Sequence, residues 1–152
     1  MAPSQRFCTF LLDGHVFGVP VPQVQEVIKF QEMTPVPLAP PVISGLINLR
    51  GQIVTAVDMR KRLRMGERAA GQLPVNVVVR CGDDPVSLLV DEIGDVIEVE
   101  EDTFEPPPDT LKGMDRELIR GVHKLPQRLL LVLDIERVVE IVSGVAAEKP
   151  VL

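Results

Sequence analysis

Few residues in this sequence are of a type and spacing that could make or break bonds. Its 152 residues include two histidines, two cysteines, no tryptophan and no tyrosine. His15 follows an Asp13-Gly14 turn signal and His123 closes a β run, and no second His or Cys stands at ligand spacing from either. His123 is expected at the surface rather than as a general base. Asp83-Asp84 and Asp91-Glu92 are paired carboxylates. Neighbours on a strand face opposite sides, so neither pair makes an acid–base site by itself. The nucleophile elbow, the zinc-protease helix and the phosphate loop are all missing from the sequence. A hydrolase built from carboxylates that converge only on folding is the one catalytic reading left open. A binding or scaffolding protein with no enzymatic activity, cofactor or metal is the simpler one, and a small-ligand-binding barrel is its alternative.

Two charged residues attract a binding reading instead. Arg50 sits at the corner of Gly45-Leu46-Ile47-Asn48-Leu49-Arg50-Gly51, between two apolar runs. Gly51 permits the positive φ of a tight hairpin. The ordinary alternative for Arg50 is a solvated turn arginine. Glu26 shares one side of a β run with Val24 and Ile28. It is either an edge charge that blocks strand addition or a contact residue.

The elements that must hold these residues are written twice. Gly45, Leu49, Val54, Val57 and Asp58 recur as Gly121, Leu125, Leu130, Leu133 and Asp134, a shift of 76 without a gap. Upstream, Val24 to Ile28 falls on Ile93 to Ile97, and Phe17 and Val19 on Val86 and Leu88, a shift of 69. The copies differ at the corner, where Asn48-Leu49-Arg50-Gly51 faces Lys124-Leu125-Pro126-Gln127. The spacing predicts about ten short strands, five per half, with turn signals between them. Such strands are best protected as closed barrels, so an all-β fold of two small barrels packed side by side is expected. Each half is near the lower size limit for a core of its own, so the halves should bury a shared interface. Asp58 is predicted to cap a short helix, Met59 to Met65, that stops at Gly66. A matching helix, Ile135 to Val142, should end at Gly144. In the strand His15 to Val19, Val16 is expected outside if Phe17 and Val19 point inward. The proline-rich stretch Thr34 to Pro41 reads as an extended connector. Glu105 to Glu117, opening Pro106-Pro107-Pro108, reads as a long loop particular to the second copy.

Composition removes several function classes. The formal charge of −6 and the lack of any basic stripe exclude sequence-independent nucleic-acid binding. Arg60-Lys61-Arg62 with Arg64 is expected as the solvated face of its helix. No apolar run is long enough to span a membrane, and Met1 to Phe10 is not a secretory leader. Cys8 and Cys81 fall in predicted strands and read as buried free thiols of a reducing cytoplasm.

The corner motif, Gly45-Leu46-Ile47-Asn48-Leu49-Arg50-Gly51 followed by a β run ending Val57-Asp58-Met59, resembles the signature of the bacterial chemotaxis coupling proteins, the CheW-like family. Val24-Gln25-Glu26-Val27, Val90 to Val96, and Ile119-Arg120-Gly121-Val122 with Leu130 to Ile135 fit the family's other elements, so the resemblance runs from about Phe7 to Val142. It implies two five-stranded SH3-like barrels related by internal duplication, with short helices after each half. It also implies that the first strand of each half completes the other's barrel. The expected division is residues 14–80 for the first barrel, 6–13 plus 81–143 for the second, and 144–152 as a C-terminal tail. The family implies a non-enzymatic adaptor between chemoreceptor cytoplasmic tips and the CheW-like regulatory domain of a CheA-type histidine kinase. A coupler of a parallel pathway, serving pili, development or a second messenger, is the alternative. Its place would be cytoplasmic, at receptor arrays near the inner membrane face, without membrane insertion. By position, Val24, Glu26, Gly45, Asn48, Leu49, Arg50 and Gly51 are the expected receptor or complex residues. Glu26 and Arg50, expected on neighbouring strands, are of opposite charge and suited to pair. The chain departs from the family at Thr55, where proline is common, and at Pro126, where an acidic turn residue is common.

Overall fold

A computed structural model describes residues 3–82, 84–109, 111 and 115–148, with side chains for all of these except 81 and 143–148. The strands are β1 (Ser4–Leu12), β2 (His15–Pro20), β3 (Val24–Ile28), β4 (Ile43–Leu49), β5 (Gln52–Asp58), β6 (Val75–Cys81), β7 (Asp84–Val90), β8 (Glu92–Glu100), β9 (Phe104–Glu105), β10 (Ile119–Leu125) and β11 (Arg128–Leu133). Helix α1 (Met59–Arg62) follows β5, and α2 (Ile135–Glu148) follows β11. The expected burial of Cys81 and the end of the expected tail, 149–152, lie outside what is described, as does Asp83 in its turn. Cys8 is buried and free.

The duplication holds down to the irregularities. Both terminal hairpins break register at the same place, between Ile43 and Gly45 and between Ile119 and Gly121. The amide of Asp58 donates to Val42 and that of Asp134 to Leu118, both at 2.8 Å. These bulges let the strand bend sharply enough to close a small barrel.

The two halves trade a hairpin rather than a strand. One sheet runs β8-β1-β2-β11-β10-β9 and the other β3-β6-β7-β5-β4. Thus β1 and β2 lie with the later strands, and β6 and β7 with the earlier ones. This differs from the expected division at β2, which falls within 14–80, and at β7, which falls within 81–143. Each traded hairpin joins its host on both sides, antiparallel through β1 on β8 and β6 on β3, and parallel through β2 on β11 and β7 on β5. The second sheet of the expected pair has six strands rather than five, because Phe104–Glu105, at the entry to the long loop, adds as β9 against β10.

The exchange explains where the core sits. The largest apolar cluster lies between the sheets and draws on both, with Phe10, Phe17 and Val19 against Val77, Val86 and Leu88. Each barrel keeps only a small interior of its own: Ile47, Leu49, Val54 and Val78 in one, and Phe7, Val16, Leu130 and Val132 in the other. Val16, expected outside, is therefore buried. Strand β2 is central and has apolar surroundings on both faces.

Both helices differ from expectation at their ends. Asp58 caps α1 as expected, accepting from the amides of Arg60 and Lys61. The helix stops after one turn, because Arg64 takes a left-handed conformation, φ 61°, two residues before Gly66. Helix α2 runs through Gly144 to Glu148. Its Ile135 and Val138 are buried in the shared core, and packing outweighs the weak helix propensity of one glycine.

Candidate functional site

The corner between β4 and β5 is built from the backbone upward. Leu49 pairs with Gln52, leaving Arg50 and Gly51 as the two central residues, with φ 52° and 87°. Two successive positive φ values mark a type I′ turn, whose twist matches that of the strands. Asn48 Oδ1 accepts from the Gly51 amide at 2.8 Å, which locks the turn. Leu49 is buried in the first barrel's interior and anchors the corner from below. Gly45 is buried too: a Cβ there would stand 2.7 Å from the carbonyl oxygen of Thr34. That close approach lets Thr34 exchange two backbone hydrogen bonds with Leu46, both 2.8 Å.

Arginine is not an easy residue in a left-handed turn, and the structure shows what holds it. Its guanidinium grips the Glu26 carboxylate with a fork of two hydrogen bonds, 2.6 and 2.9 Å. Glu26 and Arg50 were expected on neighbouring strands, but β3 and β4 are the two edges of the five-stranded sheet. The fork therefore bridges the seam where the curled sheet meets itself. The Glu26 side chain is 19% exposed and that of Arg50 74%. The hydrogen bond from Arg50 holds the Glu26 carboxyl below the usual carboxylate range, against the opposing effect of burial. The same bond raises the Arg50 pKa.

The other expected site residues divide by exposure. Asn48, Arg50 and Gly51 are exposed, and Val24 and Glu26 are half-buried. Gly45 and Leu49 are buried and act on the site by shaping it. Val24 packs against the shared core. The charged rim and the backbone turn thus occupy one corner of the first barrel.

A second constellation was not legible in the sequence. Asp91, between β7 and β8, is buried and accepts from Arg60 Nε at 2.9 Å and Nη2 at 2.5 Å, from Arg68 Nε at 2.9 Å, and from the Asp13 amide at 2.9 Å. Arg60 and Arg68 are only 11% and 12% exposed in their side chains. Arg60, expected on a solvated helix face, instead faces inward, and Arg62 donates to the carbonyls of Arg137 and Val138. Asp91 holds the β1–β2 turn, α1 and the segment after it together at the crossing between sheets. Burial pushes its pKa up, but Arg60, the Asp13 amide and Arg68 outweigh it and hold the carboxyl below its usual range. Asp58 and Asp13 also approach, 3.7 Å from Arg68 and 3.9 Å from Arg60. These carboxylates do converge, yet each faces a guanidinium, and Asp91 is held ionised rather than poised to exchange a proton. The only hint was that Asp91 aligns with Pro22 of the first copy, where no charge stands.

His123 also departs from expectation. It is 2% exposed, set between the rings of Phe7 and Phe104, and burial lowers its pKa. Among the described residues no group of three or more His, Cys, Asp or Glu is placed to hold a metal ion. No described helix is long and apolar enough to cross a membrane.

Comparison with known proteins adds to this geometry. Residues 6–143 match the family model of the CheW-like domain. The chain is 32% identical over 144 residues to a chemotaxis protein CheW of Bacillus subtilis, covering 95% of this chain and 92% of that one. It is 30% identical over 136 residues to a chemotaxis protein CheW of Treponema pallidum, covering 87% and 80%. The crystal structure of the scaffolding protein TtCheW from Thermoanaerobacter tengcongensis superimposes with a TM-score of 0.82 at 28% identity, over 92% of this chain and 94% of that one.

Proposed function

This chain belongs to the CheW-like domain family, whose members are non-enzymatic scaffolds, and on that premise we propose that it couples chemoreceptor cytoplasmic tips to a CheA-type histidine kinase. The observation that carries the reading is the Glu26–Arg50 fork on an otherwise costly turn. A guanidinium has five N–H donors, and the fork uses one on each terminal nitrogen. The remaining donors project from a side chain that is largely exposed and already immobilised by Glu26. Fixing an arginine before a partner arrives lowers the entropy lost on binding. A receptor tip is a helical hairpin, and a helix laid beside the first barrel would meet Arg50 as a donor to its carboxylates or carbonyls.

Function on this reading is positional. The chain holds the receptor on one surface and the kinase's CheW-like regulatory domain on another, and a signal passes as a shift of populations in the assembly. Work at the inner membrane face needs no insertion of this chain, and it calls for no cofactor and no nucleic acid.

The test is co-sedimentation of the chain with a receptor cytoplasmic fragment and a kinase regulatory domain from the same source, for wild type and Arg50→Ala. The expected result is a ternary complex in wild type and loss of the receptor from it in a folded variant. Receptor binding left intact in Arg50→Ala removes the fork from the function. A folded wild-type chain that captures neither partner rejects the coupling itself, and capture only of partners from a parallel pathway assigns the chain there.

A further inference from the structure

The second barrel has an open cavity of about 450 Å³, within the range of small-ligand sites and at a barrel mouth, where such sites are common. Phe7, Phe104 and Val132 supply apolar wall, and Glu101 and Arg120 supply one charge of each sign. His123 lines it as well.

The state of His123 follows from its neighbour. The Thr103 hydroxyl donates to the carbonyl of Glu100 at 2.8 Å and lies 2.8 Å from His123 Nδ1. A hydroxyl has one proton to give. With that proton on Glu100, Nδ1 carries the ring hydrogen and donates to Thr103. Nε2 is then a bare acceptor, and it has no hydrogen-bond partner among the described residues. It is not among the fully buried unpaired side-chain atoms, so it is reached from the cavity and can accept a hydrogen bond from a molecule bound there. The fold does not require it: the matching position of the first copy, 76 residues earlier, is Ile47, packed in an apolar interior.

We propose that this cavity binds a small zwitterion with a planar apolar side chain, of the chemical class of a free aromatic α-amino acid. Its ammonium would meet Glu101 and its carboxylate Arg120, with the ring against Phe7, Phe104 and Val132. A ring N–H, as in an indole, would donate to His123 Nε2. Every charged group on the wall then meets its opposite, and the bare acceptor gains a donor. The site is on the other barrel from Arg50, so it stands or falls separately from the coupling role.

The full chain lacks tryptophan and tyrosine, so the fluorescence of L-tryptophan itself reports binding against a dark background. Titrating the protein into L-tryptophan should give a saturable rise in anisotropy with a blue-shifted emission, and a Kd of about 1 mM or tighter. L-phenylalanine should compete and L-alanine should not. Indole-3-propionate, which lacks the ammonium, should bind about tenfold more weakly, a difference of about 1.4 kcal/mol. Arg120→Gln and Glu101→Gln alter exposed side chains and should keep the fold by circular dichroism while each weakens binding about tenfold. Absence of a saturable change with millimolar protein overturns the proposal. So does binding that is equal for indole-3-propionate, or unchanged in both variants.

Discussion

Replacing Asp91 with Asn tests whether the charge at the crossing between the sheets holds the barrels together. The variant keeps the shape of the side chain and removes its charge, leaving Arg60 and Arg68 largely buried. Breaking a buried ion pair from one side costs about 3–5 kcal/mol. The lower end applies, because Asp58 and Asp13 lie 3.7 and 3.9 Å from the same guanidiniums and meet part of their charge. About 3 kcal/mol corresponds to a fall of roughly 6–12 °C in Tm for a chain of this size. Far-UV circular dichroism with urea or heat is the suitable assay, since the chain has no tryptophan or tyrosine to report unfolding. The control is Glu92→Gln, one residue on and exposed, which should stay within about 0.5 kcal/mol of wild type. The pH dependence has a defined sign. Asp91 has a lowered pKa in the fold, so the unfolded chain takes up its proton first. Its contribution is complete above the ordinary value of 3.8 and is lost as pH falls through the lowered folded value. The gap between wild type and Asp91→Asn should therefore be flat near neutrality and close in acid. A Tm change under about 2 °C at pH 7, or a gap that widens in acid, would refute the assignment of this network as an ionised clamp.

Two further substitutions probe packing. Thr55 Oγ1 is buried and has no hydrogen-bond partner among the described residues, so Thr55→Val, nearly the same shape, should raise stability by about 1 kcal/mol in a urea melt; a loss of that size would mean the hydroxyl is satisfied. At Gly121 a Cβ would stand 2.5 Å from the Glu105 carbonyl oxygen and overlap the Phe104 ring. Gly121→Ala should cost about 1–3 kcal/mol and speed hydrogen exchange of the amides that join β9 to β10. Unchanged exchange there would show that β9 does not depend on the glycine.

What the sequence determined on its own is local or periodic. The shift of 76 located both copies of the terminal hairpin, and the structure repeats them down to the bulges at Gly45 and Gly121. Turn chemistry gave the corner at Arg50-Gly51 and the Asp58 cap, because both are set by residues within a few positions of one another. The type of fold followed from strand spacing and the need to remove edges. The family resemblance added the trade of elements between halves, and understated it by one strand. That trade was decided only by tertiary packing. Val16 and Phe17 are adjacent, and alternation allowed just one of them inside, yet a central β2 between two cores buries both. The sites divide in the same way. Glu26 and Arg50 were identified one at a time, but their pairing depends on curling a sheet until its two edges meet. Asp91 looked like a turn acid because its guanidinium partners lie 31 and 23 residues away. His123 looked exposed because the rings that enclose it come from β1 and from the two-residue strand at the entry to the long loop. Periodicity reports which face a residue occupies relative to its own strand. What lies beyond that face is set by contacts distant in sequence, and only the folded chain supplies them.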